Sequence, residues 1–141
     1  MKTLTIDNHE FIKIIKEHLN LGQIVSIKVK GNSMLPFFIN DKTVVDLKKE
    51  KNYLKYDVIL AKYNNHYVLH RIIKIKDNIY VLRGDGNLTK EVVKYEDIYA
   101  KVVGFKTNEK TIKRYKFKVF LWQLLRPIRR ILLKLRRMFK K

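Results

Sequence analysis

The sequence predicts a mainly β protein: a small antiparallel, partly closed β-barrel with a helix before it and a basic amphipathic helix after it. Two observations carry that expectation. Residues 23–106 hold short strand-like runs at close spacing, separated by Asn- and Asp-containing turns, as hairpin-connected strands require. Residues 7–19 and 117–141 instead repeat their apolar residues at helical spacing. A chain of 141 residues suits one domain with a modest core. The organisation expected is an N-terminal helix over 1–22, a β domain over 23–106, and a connector with a basic helix over 107–141.

The first helix has Asp7 as a candidate cap and Glu10 three residues on, the spacing of a capping box. Phe11, Ile14, Ile15 and Leu19 form its expected apolar face, and Gly22 is its stop. Val25, Ile27 and Val29 alternate with Ser26, Lys28 and Lys30, so a half-buried strand follows. Gly31 and Asn32 break it. Pro36 fixes its own φ and pushes Leu35 toward extended geometry. Ser33 thus stands on a short, stiff turn beyond a strand end. Leu35, Phe37, Phe38 and Ile39 make a greasy run directly after it, open to two readings: a substrate- or lipid-facing groove, or core.

Asn40-Asp41-Lys42 marks a turn, and residues 43–47 the next strand. Residues 56–61 form another strand, Asn64-Asn65 is a hairpin signal, and His66–Lys76 is the return strand. Strict alternation puts His66, Val68, His70 and Ile72 on one face of it, with Lys74 continuing that face. Tyr67, Leu69, Arg71 and Ile73 take the other. Residues 79–83 pair back, 84–87 form a tight loop, and 97–105 give the last clear strand. Residues 107–116 are a polar connector with the character of one further short strand at most.

Hydrolysis of a peptide by serine needs a base for the hydroxyl proton and donors for the oxyanion. Ser33 on its turn is a candidate nucleophile and His70 a candidate base. Histidine ordinarily titrates near pH 6.5, so it serves as a base near neutrality without the desolvation a lysine requires. Read alone, Ser33 is an ordinary loop serine, His70 a core histidine, Asp85 a turn carboxylate and Glu91 a surface one. His66 and His70 share a face but stand about 13 Å apart along a strand, too far for one zinc ion. No metal or cofactor is expected, and the absence of cysteine removes disulfides and thiolate ligands.

Three boxes in order change the weight of those readings: Gly31-Asn32-Ser33-Met34-Leu35-Pro36, then His70-Arg71, then Gly84-Asp85-Gly86-Asn87. Together they resemble the signal peptidase I family of serine endopeptidases, which shares a superfamily with the self-cleaving LexA-type repressors. The nucleophile box there reads Gly-x-Ser-Met-x-Pro and the third box Gly-Asp-x-Asn. The base box ends in Lys-Arg in most bacterial members and in His-Arg in archaeal and endoplasmic-reticulum members, the kind matched here. The resemblance covers about residues 24–106. It implies the barrel-like fold, a Ser33–His70 mechanism, and cleavage of a leader or signal peptide after small side chains. It also implies an acidic third member: Asp85 in the Gly-Asp-x-Asn box, or Glu91 six residues later, where the family has aspartate. The Ser33 amide would supply the oxyanion hole. Many bacterial members add a serine two residues before the nucleophile; Gly31 stands there instead, and Asn32 is the nearest candidate substitute.

A net charge of +19 calls for an anionic partner. No acidic residue occurs after Glu109. Phe117, Phe120, Leu121, Leu124, Leu125, Ile128, Leu132 and Leu135 form a helical stripe, and Lys118, Arg126, Arg129, Arg130, Lys134, Arg137 and Lys141 occupy much of the remainder. Pro127 should kink this helix or open its second half. With Trp122 near its start, the segment reads as a helix on an anionic membrane surface, packing on its own domain being the plainer reading. No base-reading motif is legible, so no nucleic acid partner is expected. No run reaches the roughly 18 apolar residues of a spanning helix, and no secretory signal is legible. Peripheral association with the cytoplasmic face of a membrane is the expected location. The alternative to a peptidase is a catalytically inactive peptidase fold serving as a membrane adaptor or binding protein. Self-cleavage of a repressor fits less well, because the segment before the β domain is too short for a typical helix-turn-helix domain.

Overall fold

The computed structural model describes residues 9–139, which fall into two units divided between Thr111 and Ile112. The first unit is mainly β. After helix α1 (His9–Asn20) come strands β1 (Val25–Lys28), β2 (Thr43–Lys48), β3 (Val58–Tyr63), β4 (His66–Lys76), β5 (Ile79–Arg83), β6 (Glu91–Lys94) and β7 (Ile98–Thr107), with a 3-10 turn at Tyr95–Asp97 before β7. They form one seven-stranded sheet in the order β1-β2-β7-β3-β4-β5-β6. Every pairing is antiparallel. β3 and β6 are not neighbours in that order, yet they touch, so the sheet curls into a half-barrel.

Side chains on the concave face fill that curl. Ile59 and Ala61 of β3, Ile72 of β4, Tyr80 and Leu82 of β5 and Val93 of β6 pack into one buried cluster. The β3–β4 hairpin turns at Asn64 and Asn65 with φ of 47° and 62°, the left-handed pair that an Asn-Asn loop tolerates. β3 begins at Val58, later than residue 56, because Tyr56 takes φ 76° in the turn before it. β6 was not distinguishable in the sequence: its four residues carry two charges and follow a loop.

A register shift between Ile72 and Lys74 bulges β4. Past a bulge the alternation inverts. Ile75 therefore packs against the core cluster and Lys74 is exposed, which corrects the expectation that Lys74 continues the His70 face. A second correction concerns α1. Ile12, Ile15 and Leu19 are its buried residues, Phe11 is half-buried, and Ile14 is exposed. The helical period alone allowed either stripe, and the sheet selected the one containing Ile12. Asp7 lies outside the described residues. Lys16 of α1 donates to the Tyr67 hydroxyl at 2.9 Å and stands over the Tyr99 ring at 4.1 Å. Burial lowers its pKa, but the two phenols more than offset this and the net direction is up.

The second unit comprises α2 (Tyr115–Leu124) and α3 (Arg126–Phe139). The break falls at Leu125, and Pro127 occupies the first turn of α3, where its missing donor costs nothing. Among the described residues no helix is long and apolar enough to cross a membrane.

Candidate active site

The segment between β1 and β2 is clipped at its base. Val29 donates to the Thr43 carbonyl at 2.9 Å, and the Val29 carbonyl accepts from Asp41 at 2.9 Å. Inside that clip the Gly31 amide bonds Asn40 Oδ1 at 2.8 Å, and Gly31 takes φ +88°, a conformation suited to glycine. Met34 then starts a hydrogen-bonded turn in which its carbonyl accepts from Phe37 and Phe38. Met34, Phe37 and Phe38 are buried, with the Phe38 ring 4.8 Å from that of Phe105. Leu35 and Ile39 remain exposed. The greasy run is thus divided: Met34, Phe37 and Phe38 anchor the turn in the core, and Leu35 and Ile39 face outward.

Ser33 is also pressed from a second side. Its carbonyl accepts the Gly86 amide at 2.9 Å. A Cβ added to Gly84 would fall 2.3 Å from that carbonyl oxygen, and one added to Gly86 would fall 3.0 Å from the Asn32 oxygen. The 84–87 loop therefore lies main chain against main chain on the serine turn. Two glycines permit this, a close approach no larger residue allows without movement.

His70 pairs across the hairpin with Ile59, and Glu91 pairs across β5–β6 with Leu82. Directly paired residues share a face, and both partners belong to the concave core cluster. His70 and Glu91 thus look into the same curl. His70 Nδ1 lies 2.8 Å from Glu91 Oε1, and both side chains are largely buried. Neither His70 Nδ1 nor Glu91 Oε2 makes a well-aligned hydrogen bond among the described residues. The short approach nonetheless defines the pair, because it brings an imidazole nitrogen and a carboxylate together largely away from water. Arg71 pairs with Arg83. Arg83 is the last residue of β5, so the 84–87 loop leaves the sheet from the strand paired with β4, which carries His70.

Asp85 is engaged differently. Arg71 Nε donates to Asp85 Oδ1 and Nη2 to Oδ2, both at 2.8 Å, a bidentate ion pair with both side chains almost wholly buried. Arg71 Nη1 donates to the Tyr56 carbonyl at 2.8 Å, and its guanidinium carbon stands 5.6 Å from the Phe37 ring centroid. One guanidinium therefore ties the 84–87 loop, the approach to β3 and the end of the serine turn. The sequence reading assigned Arg71 no role of its own. An arginine amid a strand otherwise bound for the core was the available signal, since a buried guanidinium demands a carboxylate.

Of the four sequence-predicted site residues, His70 and Glu91 meet as a pair, while Ser33 packs through its main chain against Gly84. Asp85 holds the loop from behind through Arg71. Among the described residues no cluster of three or more His, Cys, Asp or Glu could hold a metal ion.

Comparison with known proteins agrees with this architecture. The chain is 28% identical over 103 residues to a LexA repressor from Clostridium tetani (strain Massachusetts / E88). That match covers 72% of this chain and 52% of the repressor, so the chain spans about half the length of the curated relative. Residues 2–105, which include α1 and nearly all of the curled sheet, match the family described as Peptidase S24-like, and the chain belongs to that family.

Proposed function

We propose that this chain is a serine endopeptidase resembling signal peptidase I of the histidine type, cutting a leader or signal peptide after a small residue. Ser33 is the nucleophile and His70 the general base. Glu91 holds the Nδ1 side of the ring, which leaves the other nitrogen to take the Ser33 proton. Ser33 Oγ attacks the scissile carbonyl, and the Ser33 amide meets the developing oxyanion. The imidazolium then gives its proton to the leaving amine, and water, activated by the same histidine, releases the acyl group. Asp85 acts through Arg71 as a positioning residue. The observation that carries the reading is the 2.8 Å His70–Glu91 approach, with the glycine loop that buttresses Ser33 as its support.

The test is hydrolysis of a leader-type peptide by the purified chain. Ser33→Ala should abolish cleavage while far-UV circular dichroism and melting stay near those of the unaltered protein, and His70→Ala should abolish it with a lowered melting temperature, because it empties a buried site beside Glu91. Full turnover in Ser33→Ala would overturn the mechanism. An inactive adaptor would show no Ser33-dependent cleavage of any peptide. Family membership also favours one second reading, cleavage of the chain's own sequence. Incubation of the full chain alone, followed by intact-mass measurement, separates the two: a Ser33-dependent internal cut marks self-cleavage.

A further inference from the structure

The second unit exposes an apolar face that the peptidase chemistry does not use. On α3, Ile128, Ile131, Leu132, Leu135, Met138 and Phe139 recur at helical spacing, and all are between 42% and 84% exposed. Phe117, Phe120, Leu121 and Leu124 of α2 are exposed as well. The rest of the surface of α3 is basic, with Arg126, Arg130, Lys134, Arg136 and Arg137 and no acidic residue anywhere after Glu109.

Three physical points select the occupant. Fourteen residues make a helix of about 21 Å, short of the roughly 30 Å hydrocarbon core of a bilayer, so α3 does not span one. A second copy of the chain would bring the same all-basic helix against itself, with no carboxylate to pair the charges. A nucleic acid would satisfy the charges and leave the apolar face in water. A bilayer with anionic headgroups satisfies both faces at once, phosphates against the arginines and acyl chains beneath the leucines. We infer that α2 and α3 form an in-plane docking surface for an anionic lipid bilayer, which holds this peptidase-family chain at a membrane without crossing it. The inference does not depend on Ser33 being active.

The test uses the full chain and Trp122 of α2, its single tryptophan, as the reporter. Vesicles of phosphatidylglycerol and phosphatidylcholine should shift Trp122 emission to the blue and co-sediment the protein. Vesicles of phosphatidylcholine alone should bind far more weakly, and added salt should weaken the anionic binding. Arg130→Gln and Arg137→Gln should each lower partitioning about fivefold. Leu132→Gln/Leu135→Gln, which keeps every charge, should lower it at least as much. Ser33→Ala should bind like the unaltered chain, so loss of peptidase activity and loss of docking are read separately. Equal binding to both vesicle types overturns the inference. So does a stable dimer in sedimentation velocity that already buries Trp122. Binding to polyphosphate or DNA that matches the anionic vesicles and ignores the leucine changes would assign the surface to nucleic acid and overturn it too.

Discussion

Replacing Gly84 with alanine places a methyl group where the Ser33 carbonyl already stands. The ideal Cβ lies 2.3 Å from Ser33 O, 2.9 Å from Asn87 Nδ2 and 3.1 Å from the Ser33 carbonyl carbon. Real Cβ contacts essentially never fall under 3.0 Å, so the oxygen and the methyl must separate by at least 0.7 Å, the difference between 3.0 and 2.3. The Asn87 side chain can swing aside. The Ser33 carbonyl cannot do so alone, because it is main chain and bonded to the Gly86 amide. The displacement therefore passes to Ser33 itself. A misplacement of about 1 Å at a reacting centre costs about 10²-fold in rate, and overpacking of this kind costs about 1–3 kcal/mol of stability. Gly84→Ala should lower kcat/KM on a quenched-fluorescence leader peptide by about 10- to 100-fold and lower the melting temperature as well. Gly86→Ala, whose Cβ meets the Asn32 oxygen at 3.0 Å and the Leu35 oxygen at 3.2 Å, should do less. Gly104→Ala meets only the Asp46 carboxylate, at 3.3 Å, and should leave turnover unchanged. Native turnover and melting in Gly84→Ala, or a larger loss in Gly104→Ala, would refute the argument that the loop fixes the serine by contact.

The two carboxylates predict opposite phenotypes. Asp85→Ala strands a buried guanidinium and should cost about 3–5 kcal/mol in urea denaturation, with Arg71→Met/Asp85→Ala recovering part of it; additive losses in the double variant would show the pair is not coupled. Glu91→Gln keeps the shape beside His70 and removes the charge, so turnover should fall about 10²-fold or more with little change in melting. If Asp85→Asn lowers turnover further than Glu91→Gln at matched stability, the two roles are reversed.

Much of the architecture was written locally in the chain. Period-two alternation, Asn64-Asn65 and Pro127 act on their own few residues, and strands, hairpin and helix break all follow. The serine turn and the tight 84–87 loop were legible for the same reason, since Gly31 and Pro36 constrain their own backbone and two glycines mark a turn; that Gly84 lies against the Ser33 main chain was a tertiary fact. Tertiary structure alone decided which carboxylate meets which base. Asp85 and Glu91 are six residues apart and chemically alike, and nothing local assigns one to Arg71 and the other to His70. That choice depends on the short strand β6, on its register opposite Leu82, and on the curl that turns both His70 and Glu91 inward. The face of Lys74 depends likewise on a bulge set by pairing with β5, and the buried stripe of α1 on the sheet it meets. Register and curvature arise from contacts between residues far apart in sequence, and a one-residue slip in pairing inverts every side chain beyond it.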